Sequence, residues 1–271
     1  MARAMGGTRG RGLLACALLL VLGAGCATDR LWAPTREEVL QRILPPTVQI
    51  VLEQDGRRFR SGSGVVVAAR SLGRTTECLV LTSGHTLTGL TDGQEIYVLL
   101  GRHQGKGVRA RATMLVRRDG DDLDLGLLRI ETERCVAARL GQPPALGDAI
   151  WVVAFPWGRS MTLVGGIVSQ VNPDGGDDAD AGARLMVDAS VSYGASGGGV
   201  FEATTGRLVG VVEGYRTARV SFKGDAALRY IDVPVPGETY VTPLADIRRF
   251  LGQAGQDRLV GDQPLAAGPK Q

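Results

Sequence analysis

Apolar positions in this chain come in short runs separated by polar, glycine-rich turns. Their lengths and their content of Val, Ile and Leu are those of strands. One set lies at 48–52, 64–68, 79–82, 95–100, 109–116 and 125–130. Six strands joined by short turns suit a small closed barrel. The segment 136–147, with Pro143-Pro144 and little β pattern, reads as a connection. A second set follows at 149–154, 161–171, 184–187, 198–201, 208–213 and 240–241. At 109–112 arginine alternates with alanine, as on a strand with one solvated face. Two stretches have helical character. Thr35-Arg36-Glu37-Glu38 is a capping box, with Val39, Leu40 and Ile43 forming an apolar side and Pro45-Pro46 a stop. Residues 243–252 place Leu244, Ile247 and Leu251 at helical spacing. The expected fold is all-β: two six-stranded antiparallel barrels, at 47–135 and 147–243, with a short helix at each end.

Composition agrees with many strands and turns. Of 271 residues, 44% are hydrophobic and 22% charged, which fits a folded globular chain, while aromatics are only 5% and glycines number 39. The first 25 residues change the reading of the charge. Arginines precede an apolar run at 13–22, and small residues Gly23-Ala24-Gly25 precede Cys26. This pattern is that of an export signal, and it resembles a bacterial lipoprotein signal in which Cys26 is acylated and becomes the N-terminus. An ordinary signal peptide cut nearby is the alternative. The apolar run is short for a membrane span. Removing Arg3, Arg9 and Arg11 from the formal charge of +3 leaves 3 − 3 = 0. A neutral chain has no reason to bind nucleic acid. Residues 26–34 read as a tether, 172–183 as an acidic exposed loop, and 256–271 as a disordered tail. With Ala27 rather than aspartate after the cysteine, the lipoprotein resemblance implies the outer membrane, facing the periplasm. A soluble periplasmic or secreted protein is the other outcome. No paired His/Cys cluster has metal-ligand spacing, and no glycine loop with lysine cradles a phosphate, so neither metal nor cofactor is expected.

Three stretches carry candidate chemistry. Gly194-Ala195-Ser196-Gly197-Gly198 lies between apolar runs and can hold a serine on a tight turn, with the N–H groups of Gly194 and Ser196 forming an oxyanion hole. An apolar strand runs through Thr82-Ser83-Gly84 into His85, and Asp124 opens another. A serine hydroxyl needs a base to become a nucleophile; an imidazole serves, and a carboxylate fixes its tautomer. Asp119, Asp121 and Asp122 compete with Asp124 for the last role, but only Asp124 leads directly into the strand 125–130. The other histidine, His103, sits in a glycine-rich basic loop and reads as a solvated surface residue.

These stretches, with Ser61-Gly62-Ser63-Gly64-Val65 before them, resemble the trypsin/chymotrypsin superfamily of serine peptidases, most closely its HtrA-like branch. The likeness spans residues 45–250. It implies a chymotrypsin-like double barrel and a serine endopeptidase acting on proteins or peptides through His85, Asp124 and Ser196. It places a primary pocket at Ser190, Glu213, Gly214 and Tyr215. With no acid at its base, that pocket is expected to prefer small or medium apolar side chains over Lys or Arg. Too few residues follow position 252 for a PDZ module, so none is expected. In the resembled fold the strand before the histidine lies antiparallel to the strand after the aspartate. Cys78 and Cys135 then fall toward the same end, and a disulfide is expected; two separate thiols are the alternative. A catalytically silent trypsin-fold lipoprotein that binds peptides or partner proteins, and a purely structural β domain, are the competing functions.

Overall fold

The computed structural model describes residues 33–105, 107–120, 123–171, 185–223 and 228–256. The signal segment, Cys26, Asp121, Asp122, the loop 172–183 and the tail beyond residue 256 lie outside the described residues. Helix α1 (Arg36–Ile43) begins as its sequence dictates. Thr35 Oγ1 accepts from the Glu38 N–H at 3.2 Å, and Glu38 Oε2 accepts from the Thr35 N–H at 2.7 Å.

Among the described residues twelve strands follow. The first six are β1 (Thr47–Gln54), β2 (Arg57–Ser71), β3 (Thr76–Thr82), β4 (Gln94–Leu100), β5 (Val108–Gly120) and β6 (Leu123–Thr132). They close in the order β1-β2-β3-β6-β5-β4. The second six are β7 (Ala149–Ala154), β8 (Thr162–Val171), β9 (Leu185–Val187), β10 (Gly199–Glu202), β11 (Leu208–Lys223) and β12 (Leu228–Pro243), closing as β10-β11-β12-β9-β8-β7. Helix α2 (Leu244–Gln253) comes last. Two closed six-stranded antiparallel barrels make up the chymotrypsin-like double barrel expected from the sequence.

The unbroken apolar runs have a geometric cause. Successive side chains of a strand point to opposite faces, so a run buried throughout must be covered on both. In β2, Val66 points into the first barrel, while Val65 and Val67 join the core between the barrels. Val80 and Leu128 fill the same lumen; Leu81 and Leu127 face outward to the interface. The second barrel mirrors this, with Val152, Val200 and Val212 inside and Val153, Phe201 and Val211 at the interface. Ile43 of α1 and Ile247, Phe250 and Leu251 of α2 seal that central core. Each fully buried side chain of this size contributes roughly 1.5–3 kcal/mol.

Arg109 and Arg111 are exposed beside buried Ala110, as the alternation requires; they pair with Glu53 and Glu95 at 2.6 and 3.1 Å. Cys78 of β3 is joined to Cys135, with Cα atoms 6.6 Å apart. Strands β11 and β12 extend far beyond 208–213 and 240–241 and pair with each other from Thr217↔Pro234 to Lys223↔Leu228. There they cover no core: Val220, Phe222, Tyr230 and Ile231 are all exposed.

Candidate active site

The site forms where the two barrels meet. Strand β3 ends at Thr82, and the chain enters a short 3-10 turn, Gly84–Leu87. Gly84 is required there: a Cβ would lie 1.8 Å from the Arg118 carbonyl oxygen. This close approach lets the turn nestle under the β5–β6 hairpin and brings His85 onto Asp124. Asp124 Oδ1 accepts from the His85 N–H at 2.7 Å, and Oδ2 lies 2.6 Å from His85 Nδ1. The carboxylate is largely buried, and the imidazole is half-exposed to the cleft. Asp119 is engaged elsewhere, with Thr88 Oγ1 at 2.7 Å and Arg117 at 3.6 Å.

The serine turn belongs to the second barrel but is held by the first. The Ser63 N–H of β2 donates to Ser196 O at 2.9 Å. Ser63 Oγ donates to Gly194 O and accepts from the Phe155 N–H, each at 2.8 Å. Thr82 Oγ1 donates to Ser63 O at 2.7 Å, and Ser83 Oγ to Val212 O at 2.9 Å. Gly194 and Gly197 both have φ of 86°, the left-handed region glycine tolerates. A Cβ on Gly197 would stand 2.1 Å from Ser63 O. The 193–194 peptide is oriented by the Trp157 N–H, which donates to Tyr193 O at 2.6 Å. In a trans peptide the N–H points opposite the C=O, so the Gly194 N–H turns away from Trp157. Among the described residues no hydrogen bond takes the N–H of Gly194 or Ser196.

His85, Gly194 and Ser196 line one cleft of about 430 Å³, with Arg60, Tyr193, Glu213, Gly214 and Tyr215. No hydrogen bond joins the Ser196 hydroxyl to His85; such bonds often close only around substrate. The imidazole is held above its ordinary pKa, first by its hydrogen bond to Asp124 and then by the charges of Asp124 and Glu213, with partial burial and Arg60 opposing. Ser190, expected at the pocket base, is instead exposed and outside this lining. Asp188 is tied to the Ile167 N–H at 2.6 Å and Ala189 O to Thr239 Oγ1 at 2.7 Å. His103 is half-buried rather than solvated, with Nδ1 out of contact with water. Among the described residues no His, Cys, Asp and Glu cluster has the makings of a metal site, and no helix is long and apolar enough to cross a membrane. Sequence reasoning missed the role of Ser63, although its motif was in view, and missed Arg60, Trp157 and Tyr193 altogether.

The trypsin-like peptidase domain model matches residues 62–211, more than half of the chain. The chain belongs to the trypsin-like peptidase domain family. Among solved structures, this trypsin-like peptidase domain is similar in fold to the serine endoprotease from Yersinia pestis, with 18% identity, a TM-score of 0.58, and coverage of 84% of this chain and 69% of that one. It is similar also to the HtrA-type protease AlgW with tripeptide, with 20% identity, a TM-score of 0.60, and coverage of 83% of this chain and 64% of that one. Less than two thirds of the AlgW chain therefore has a counterpart here. No curated protein sequence matches.

Proposed function

We propose that this trypsin-like peptidase domain is an active serine endopeptidase that cleaves proteins through Ser196, His85 and Asp124. The observation carrying the reading is the carboxylate of Asp124, which spends one oxygen on the His85 N–H and the other on Nδ1. A proton on Nδ1 leaves Nε2 with a lone pair for the Ser196 proton. As Ser196 Oγ attacks the scissile carbonyl carbon, its proton passes to Nε2. The imidazolium so formed is stabilised by Asp124, with Glu213 adding a second negative charge. The developing oxyanion is taken by the N–H groups of Gly194 and Ser196. His85 then gives its proton to the leaving amine, and the acyl-enzyme is hydrolysed by a water that His85 deprotonates.

Glu213, Gly214 and Tyr215 line the wall for the acyl half of the substrate, and the ring of Tyr215, which narrows it, supports a preference for small or medium apolar side chains. The competing reading is a catalytically silent protein of this fold that binds peptides or partner proteins. Incubation with an unfolded protein, with products mapped by mass spectrometry, separates the two. Cleavage by the wild type and none by Ser196→Ala supports the peptidase; cleavage mainly after Lys or Arg refutes the pocket. None by either protein supports the binder.

We propose further that the exported chain is a lipoprotein of the bacterial envelope, acylated at Cys26 and facing the periplasm. Support comes from the sequence of residues 1–26. Several acyl chains would hold it firmly to a bilayer. Cys26→Ser should appear in the soluble fraction or retain its signal segment unprocessed at that site; normal membrane attachment of this variant refutes lipidation.

A further inference from the structure

Trp157 and Tyr193 present a stacked pair of rings to solvent, and Tyr193 lines the cleft with Ser196. Their centroids are 5.7 Å apart and their planes are inclined by 22°. They are 65% and 69% exposed. Two large aromatics kept together in water mark a contact surface. The pair is fixed from beneath. Besides the Trp157 N–H bond to Tyr193 O, the next carbonyl, that of Gly158, accepts from Gln49 Nε2 and Arg58 Nη1, each at 2.9 Å. Trp157 itself holds φ of 57°, a conformation that bulky residues rarely adopt and that its surroundings must maintain.

The position of the pair decides which half of a substrate it meets. The serine turn is clamped between two strands: Gly197 N–H donates to Val212 O of β11, and Ser63 N–H of β2 donates to Ser196 O. Strand β11 continues into Glu213, Gly214 and Tyr215, the wall assigned to the acyl half. From Ser63, β2 runs back through Ser61 to Arg60, whose guanidinium donates to Thr86 O at 3.2 Å and Thr88 O at 2.6 Å and lines the same cleft. The segment that carries Trp157 adjoins this β2 side, since a Cβ on the next residue, Gly158, would stand 2.5 Å from Ser61 Oγ. Arg60 bonds only neutral carbonyls there, so its charge is felt in the cleft.

We propose that Trp157, Tyr193 and Arg60 form the binding surface for the part of the substrate that departs with the amine, selecting an aromatic side chain in one of the first two residues after the scissile bond and rejecting a cation there. The inference rests on the peptidase reading above. An aromatic substrate side chain gains a ring face to stack on, and a lysine or arginine meets like charge.

Acyl transfer tests it. An N-acylated valine thiobenzyl ester forms the acyl-enzyme without any leaving-group residue, and added dipeptide amides then compete with water. The amine attacks the acyl carbon and the bond from that carbon to Ser196 Oγ breaks. His85 takes the amine proton and returns it to Oγ, yielding a peptide and free enzyme. The better of Phe-Gly-amide and Gly-Phe-amide should partition about tenfold more efficiently than Gly-Gly-amide, the worth of one stacked ring, and Lys-Gly-amide less efficiently than Gly-Gly-amide. Trp157→Gly, which suits the left-handed backbone, should bring the aromatic advantage within about twofold, and Trp157→Phe should keep most of it. Ester hydrolysis with equal partition of all four amides overturns this inference alone. Absence of ester hydrolysis overturns the peptidase reading and this inference with it.

Discussion

Asp124→Asn isolates the function of one oxygen against one nitrogen. In the wild type Oδ1 accepts the His85 backbone N–H at 2.7 Å and Oδ2 faces Nδ1 at 2.6 Å. Asparagine keeps the shape but has a single acceptor. If its carbonyl stays with the backbone N–H, its NH2 faces Nδ1, which must then become an acceptor. The imidazole proton moves to Nε2, and Nε2 can no longer take the serine proton. If the amide flips, NH2 meets the His85 N–H, and a largely buried donor loses its partner at about 1–3 kcal/mol. The first arrangement is therefore preferred, and it disables the base. Loss of the correct tautomer in a triad lowers kcat about ten-thousand-fold, equivalent to about 5.5 kcal/mol of transition-state stabilisation. The assay is kcat for ester and peptide substrates, with circular dichroism confirming the fold. Asp119→Asn is the control and should retain activity, because Asp119 bonds Thr88 and Arg117 instead. Retention of more than about a tenth of wild-type kcat by Asp124→Asn refutes the reasoning, as does inactivation by Asp122→Asn with Asp124→Asn active.

The base must be neutral to act, so a raised His85 pKa keeps it protonated to higher pH, and the acid limb of kcat/KM should lie above the ordinary histidine range. Glu213→Gln should move that limb to lower pH; a limb that stays or rises contradicts the role given to its charge. The Cys78–Cys135 bond closes a loop with a sequence separation of 57. The Cys78→Ala/Cys135→Ala variant should then lose up to about 4 kcal/mol in denaturant unfolding, and a loss below about 1 kcal/mol contradicts the loop-entropy argument. Gly197→Ala forces a Cβ to within 2.1 Å of Ser63 O at φ 86°. It should cost at least roughly 1–3 kcal/mol and displace the serine turn, and wild-type stability and kcat would contradict the clamp.

What the sequence disclosed follows from where burial is symmetrical. Runs such as Val65–Ala68 and Leu79–Leu81 are apolar throughout because both faces are covered, and they stand out without any neighbour known. The capping box at Thr35 is legible because both partners lie within four residues. The arm of β11 and β12 was not legible. Its residues from Thr217 outward pair only with each other, so no core imposes a pattern, and Val220 and Ile231 alternate with charged Arg219 and Asp232 in full view of solvent. The site divides in the same way. His85, Asp124 and Ser196 sit in glycine-punctuated motifs at strand ends, whereas Ser190 was placed only by counting from Ser196, with no motif of its own, and it lies outside the cleft lining. The aromatic Trp157 lies far from Ser196 in sequence, and no local motif foretells its stacking on Tyr193.

Labelling with a fluorophosphonate probe tests the central claim most directly, because the reagent reacts only with a serine made nucleophilic by its neighbours. Intact-mass analysis of folded protein at neutral pH should show one adduct on Ser196, absent from Ser196→Ala and strongly slowed in His85→Ala. Folded wild-type protein that remains unlabelled, or a label found on another serine, contradicts the account.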